Sequence, residues 1–232
     1  MKKLIFLVII TSCANSNNNN KQASDEPVIK KCEKTVLFGD KEICLPTMNN
    51  YTECYLDSRI KDRVDEAVGY NGRNTVLAVY LIDKVYNQIN DSSETFFDDY
   101  YILFGNKRLA DHDANNSEIK NLIGTNTNRI TKEQWEKIKN NLENEIKSVD
   151  VRFDKLIEIE DYFINDNVST VVTLQRVNIN GKEIFKVTIM NVVLLNKRLV
   201  WLCYYKDYKD SETIKYSKER NDYLVRKFIE QN

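Results

Sequence analysis

Few residues in this chain have a type and spacing that could do chemistry. The single histidine, His112, stands in Asp111-His112-Asp113, where flanking carboxylates would favour a protonated imidazole or help it hold a metal. A zinc site wants three or four protein ligands, commonly with more than one His or Cys, so this triplet reads as a solvated loop and no cofactor is expected. Asp98-Asp99 could be half of a glycosidase carboxylate pair, but no partner acid can be identified from the sequence. One histidine excludes an HExxH metalloprotease, and there is neither a GxSxG elbow nor a glycine-rich phosphate loop. Asp98, Asp99 and His112 therefore point to an enzyme only if the fold gathers them in one cleft.

Cysteine offers more. Cys13 ends a segment with a positive start, Lys2-Lys3, a short apolar run, Leu4 to Ile10, and the small residues Thr11-Ser12. That is the anatomy of a secretory signal peptide, and the run is far shorter than the roughly 20 residues of a spanning helix. Ile10-Thr11-Ser12-Cys13 resembles the lipobox of bacterial lipoproteins, in which the cysteine is lipidated and becomes the new N-terminus. The resemblance covers the first 13 residues and implies a lipid on Cys13 that holds the chain to a membrane, since two or more acyl chains anchor stably. Residues 1–12 are then a cleaved signal, and 13–27, an asparagine-rich run without a large apolar residue, form a disordered tether. Residues 28–232 form one globular domain at the cell envelope, on the non-cytoplasmic side of the inner or the outer membrane.

An exported domain meets oxidising conditions, so Cys32, Cys44, Cys54 and Cys203 are disulfide candidates with three possible pairings. Cys32 and Cys44 flank a predicted hairpin made of Thr35–Phe38, a Gly39-Asp40 turn and Lys41–Cys44. A two-residue turn sets Cys44 opposite Thr35, so a bridge to Cys32 needs the chain to bend. Cys44 to Cys54 is the local rival. Cys203 alternates with Trp201 and Tyr205 on one strand face and fits a buried free thiol.

The elements that must position these residues follow from periodicity. Helices are expected at Asp57–Val68, Ser117–Ile123, Thr131–Val149 and Ser217–Glu230; the third has a Thr131/Gln134 capping box and a Trp135, Ile138, Leu142, Ile146 stripe. Strands are expected at Thr75–Ile82, apolar on both faces, and at Phe96–Phe104. Four more, Lys155–Ile164, Val168–Val177, Lys182–Leu194 and Arg198–Asp207, are separated by short turns and form a meander. The fold class is α+β, an antiparallel sheet of five to seven strands with helices packed on it.

The charges nearly cancel, at a net −1, which argues against a nucleic-acid partner. Tyrosine is abundant, with clusters at Tyr100-Tyr101 and Tyr204-Tyr205-Tyr208; it suits half-buried strands and also recognition of protein or glycan. The C-terminal strand LVWLCYYKDY and closing helix YLVRKFIEQN resemble the end of PsbP-like domains and of uncharacterised exported bacterial proteins, from about Val168 onward. That resemblance implies an accessory or assembly role at a membrane complex and transfers no ligand residue. The leading expectation is a non-enzymatic lipoprotein that binds an envelope protein or glycan through its tyrosines. A small-ligand carrier instead needs a pocket of a few hundred Å³ between sheet and helices. An envelope enzyme needs Asp98/Asp99 or His112 in a polar cleft.

Overall fold

A computed structural model describes residues 32–68, 72–89, 97–122, 157–179 and 182–232. The signal segment, Cys13, the tether and the Trp135 helix lie outside the described residues. The elements run β1 (Thr35–Phe38), β2 (Lys41–Cys44), β3 (Tyr51–Glu53), α1 (Ser58–Val68), β4 (Asn74–Ile82), α2 (Asp83–Tyr86), β5 (Asp99–Asn106), α3 (Asn116–Leu122), β6 (Ile157–Asn165), β7 (Val168–Ile179), β8 (Lys182–Leu195), β9 (Arg198–Asp207) and α4 (Ser211–Gln231). Among the described residues no helix is long and apolar enough to cross a membrane.

Two-residue turns join β6 to β7, β7 to β8 and β8 to β9, whereas the β3–β4 and β4–β5 connections carry α1 and α2. β3-β4-β5 form one meander and β6-β7-β8-β9 another, and an antiparallel β5–β9 contact joins them into a seven-stranded sheet of order β3-β4-β5-β9-β8-β7-β6. Asn196 and Lys197 both take positive φ at the β8–β9 turn, the conformation whose twist matches a tight hairpin. β1 and β2 make a separate two-stranded sheet with Thr35 opposite Cys44, as the sequence predicts.

Both faces of the large sheet are covered. On one, Leu224, Val225 and Phe228 of α4 join a core with Val172, Ile189 and Leu202. On the other, Ile60 and Val64 of α1 pack with Val79, Leu81 and Ile102, while Ile119 of α3 packs with Val192 and Leu199. β4 is apolar on both sides for this reason.

Helix α4 starts six residues before the predicted Ser217. Asp210 accepts from the backbone N–H of Thr213, whose side chain accepts in return from the Asp210 N–H, closing a capping box with threonine in place of the usual Glu or Gln. The helix is then registered by a buried amide pair: Asn191 and Asn221 donate to each other at 2.7 and 3.0 Å, and Thr170 donates to Asn191 at 2.8 Å.

The β1–β2 hairpin is pinned to the start of β9. Arg198, 3% exposed, donates to Asp40, to Asp113 at 2.6 Å and to the His112 carbonyl at 3.0 Å. The turn fits closely because residue 39 is glycine: φ is +62°, and a Cβ there would sit 1.9 Å from the Ala110 carbonyl oxygen. Gly72 has φ +75° with open space around it. Gly72→Ala should therefore cost about 1–2 kcal/mol from left-handed strain alone, and Gly39→Ala about 3 kcal/mol or more, because the turn must also lift off Ala110. Urea midpoints of the two variants check the order.

Candidate functional site

The register across four strands assembles a feature that no local segment contains. Glu53 is opposite Tyr80, Tyr80 opposite Tyr101, and Tyr101 opposite Tyr204, so one row of the α4-facing side of the sheet is three adjacent tyrosines. All three are fully buried; Tyr101 and Tyr204 stack with ring centroids 4.3 Å apart, and Tyr51 meets Tyr101 edge-on at 5.5 Å. Their rings suit a strand, but their hydroxyls make no hydrogen bond of good geometry among the described residues; that of Tyr101 lies near Arg220 and that of Tyr204 near Asp99. A buried hydroxyl left without a hydrogen bond costs about 1–3 kcal/mol.

One step along the strands, Asp99 is opposite Lys206. Asp99 is buried; one carboxylate oxygen accepts from the Tyr51 hydroxyl and the other from Lys206 Nζ at 2.7 Å. Burial first, and the Asp99 carboxylate second, push the Tyr51 phenol far above its ordinary range. Burial does the same to Tyr80, Tyr101 and Tyr204, so these phenols stay protonated.

Helix α4 closes the layer from above. Helical spacing puts Tyr216, Arg220, Leu224 and Lys227 along one stripe. The Arg220 guanidinium lies 4.8 Å from the Tyr51 ring centroid and 5.9 Å from that of Tyr216, and its Nη1 donates to the Tyr216 hydroxyl at 2.9 Å. Among the described residues no carboxylate is in ion-pair contact with it, although Asp99 is near enough to act on its charge. Between the helix and the Thr47–Tyr51 segment is a cavity of about 260 Å³, lined among others by Met48, Tyr101, Arg220, Leu224 and Lys227 and by no acid. A wider hollow of about 370 Å³ between β6 and α4 differs in kind: its Lys218 is paired with Glu160, and its Asp222 accepts from Tyr162 at 2.7 Å.

The sequence-named residues do not converge. Asp98 is exposed and its carbonyl accepts from the Asp207 N–H, whereas Asp99 is taken up by Tyr51 and Lys206. His112 is in an exposed loop, 2.8 Å from Glu118, beside the Arg198 end of β9; Asp99 is beside the Lys206 end. Eight strand residues at about 3.3 Å each separate the two by roughly 25 Å. Among the described residues no group of three or more His, Cys, Asp or Glu could hold a metal.

Of the cysteines, Cys32 and Cys44 are bridged, with Cα atoms 5.7 Å apart; the chain bends at Glu33 to bring Cys32 in. The rival Cys44–Cys54 bridge does not form, and the second disulfide that four cysteines permit is not made. Cys54 is packed under α1 and Cys203 lies in β9, both buried as free thiols, and burial pushes each up to about 12. They are poor nucleophiles at neutral pH.

Most tyrosines the sequence marked for recognition are inside: Tyr100 stacks on Tyr205 at 4.7 Å beneath the α1 side. The exposed ones, Tyr216 and Tyr223 at 45% and 67%, are on α4 beside the cavity. Comparison with family models, curated proteins and solved structures finds no match. The geometry alone therefore carries the functional argument.

Two outcomes follow. Tyr101→Phe and Tyr204→Phe should each leave the protein as stable or about 1 kcal/mol more stable in urea, because a hydroxyl without a well-formed hydrogen bond is removed, whereas Tyr51→Phe should destabilise by about 1–3 kcal/mol by taking a donor from buried Asp99. Above pH 10 the unfolded chain loses phenol protons that the native state keeps, so the unfolded state binds fewer protons and stability falls as pH rises. For each buried phenol the slope should rise through about 0.7 kcal/mol per pH unit at pH 10 toward about 1.4 above it, with Tyr51, Tyr80, Tyr101 and Tyr204 all contributing, as measured by urea unfolding between pH 9 and 11.

Proposed function

We propose that this chain is an exported, lipid-anchored binding protein that performs no reaction and holds a small molecule between its sheet and α4. The observation that carries this is the cavity beside Arg220: a half-open hollow between sheet and helix, lined by a cation that makes no ion-pair contact with a carboxylate among the described residues, and floored by Tyr101, whose buried hydroxyl lies near that cation. At about 260 Å³ it falls just under the roughly 300–1,000 Å³ of drug-sized ligand sites, which suits a small ligand.

The envelope assignment rests on the lipobox-like Ile10-Thr11-Ser12-Cys13, and a structural disulfide between Cys32 and Cys44 is compatible with it, since such bridges persist in oxidising compartments. A non-enzymatic role is supported by the separation of His112 from Asp99 and by the full engagement of Asp99. An envelope protein or glycan partner is the second reading, favoured by the exposed Tyr216 and Tyr223 at the same face.

Intact mass of the membrane-extracted protein, beside a Cys13→Ala variant, tests this. The wild type should have the mass of a chain cleaved before Cys13 plus acyl chains, and both proteins should show two thiols, those of Cys54 and Cys203, that react only after denaturation. An unlipidated wild-type mass, or four reactive thiols, would overturn the lipoprotein assignment.

A further inference from the structure

The chemistry of the cavity identifies the class of ligand, an inference that rests on the pocket assignment above. A guanidinium has five N–H donors in a planar fork; among the described residues Arg220 donates to Tyr216 and otherwise has only the Tyr101 hydroxyl nearby, so donors remain for a ligand. The Tyr51 and Tyr216 rings flank it and restrict its orientation. Such a held fork suits a planar or tetrahedral oxyanion, to which it can donate two parallel bonds. Lys227 adds a second positive charge at the lining, where its ammonium is 2.8 Å from Glu230 on the exposed side of the helix. No carboxylate lines the cavity, so nothing there would attract a cation. With a neutral ligand Arg220 has as counter-charge only Asp99, which is not in ion-pair contact with it and is already engaged by Tyr51 and Lys206.

The floor agrees. Tyr101 is completely buried, its hydroxyl makes no hydrogen bond of good geometry among the described residues, and Arg220 is near enough to bear on its ionisation. A phenol that stays protonated is a donor that can meet an anionic oxygen. Met48 and Leu224 complete the lining with apolar surface.

We propose that the cavity binds a small organic oxyanion, a carboxylate or a phosphate monoester, whose charged end is held by Arg220 and the Tyr101 hydroxyl and whose apolar body lies against Met48 and Leu224. The charge supplies selectivity and the apolar wall supplies contact area. The ligand is bound and released without covalent change.

Calorimetric titration of the full chain in detergent with benzoate, phenyl phosphate and the neutral isostere benzamide tests the assignment. One or both anions should bind, benzamide should bind at least tenfold more weakly, and Arg220→Gln should lose about tenfold or more of the anion affinity. Arg220→Lys keeps the charge but not the fork, and should also weaken binding; it serves as the second variant if Arg220→Gln does not fold. Tyr101→Phe should weaken the anion without loss of stability in its absence. The tighter of the two anions distinguishes a carboxylate site from a phosphate site. If benzamide binds as tightly as the anions, or Arg220→Gln binds them like the wild type, the oxyanion assignment fails while the pocket assignment stands. If none of the three probes binds at millimolar concentration, both fail.

Discussion

The antiparallel pairing of β5 with β9 is the contact on which the rest of this structure depends. It joins the β6-β7-β8-β9 meander, built from two-residue turns, to the β3-β4-β5 meander, whose connections carry α1 and α2, and it is made between strands some hundred residues apart in the chain. By fixing Tyr101 beside Tyr204 and Asp99 beside Lys206, it completes the tyrosine row and neutralises the buried carboxylate in one step. Slipping this pairing by one residue would turn both sets to the opposite face, because side chains alternate along a strand. Asp99 would then be stranded against the apolar α1 side.

That constraint explains an unequal treatment of buried polar groups. Asn191, Asn221 and Thr170 close a network that sets α4 against the sheet, and Asp40 and Asp113 hold the two terminal nitrogens of Arg198, whose Nε has no partner among the described residues. The hydroxyls of Tyr80, Tyr101 and Tyr204 make no hydrogen bond of good geometry among those residues. Phenylalanine in those places would keep the ring packing without the desolvation penalty, so packing alone does not account for the hydroxyls. Tyr101 lines the cavity under Arg220, which ties that unexplained polarity to a binding role.

Much of the fold is legible in the sequence. Apolar runs on both faces foretell a central strand at β4, turn residues foretell the C-terminal meander, and Gly39-Asp40 marks the β1–β2 hairpin whose bend brings Cys32 to Cys44. The missed start of α4 reflects an unusual capping box with Thr213 at its third position. The site was far less legible. Tyr51, Tyr80, Tyr101 and Tyr204 come from four strands, and their neighbourhood depends on register, which a one-dimensional pattern does not encode. Arg220 did have a local signal, the helical spacing Tyr216, Arg220, Leu224, Lys227, but it passes for an ordinary amphipathic face until the Tyr101 hydroxyl is seen beneath it. Conversely, the residues with conspicuous chemistry, Asp98, Asp99 and His112, are distributed to opposite ends of β5 and β9.

The most direct test of the account is a crystal structure of the full chain soaked with phenyl phosphate, at a resolution that places individual oxygen atoms. An anionic oxygen should lie within hydrogen-bonding distance, about 2.7–3.2 Å, of both the Arg220 guanidinium and the Tyr101 hydroxyl. A structure in which Arg220 is paired with a carboxylate of the protein itself, and the Tyr101 hydroxyl with another protein group, would contradict it.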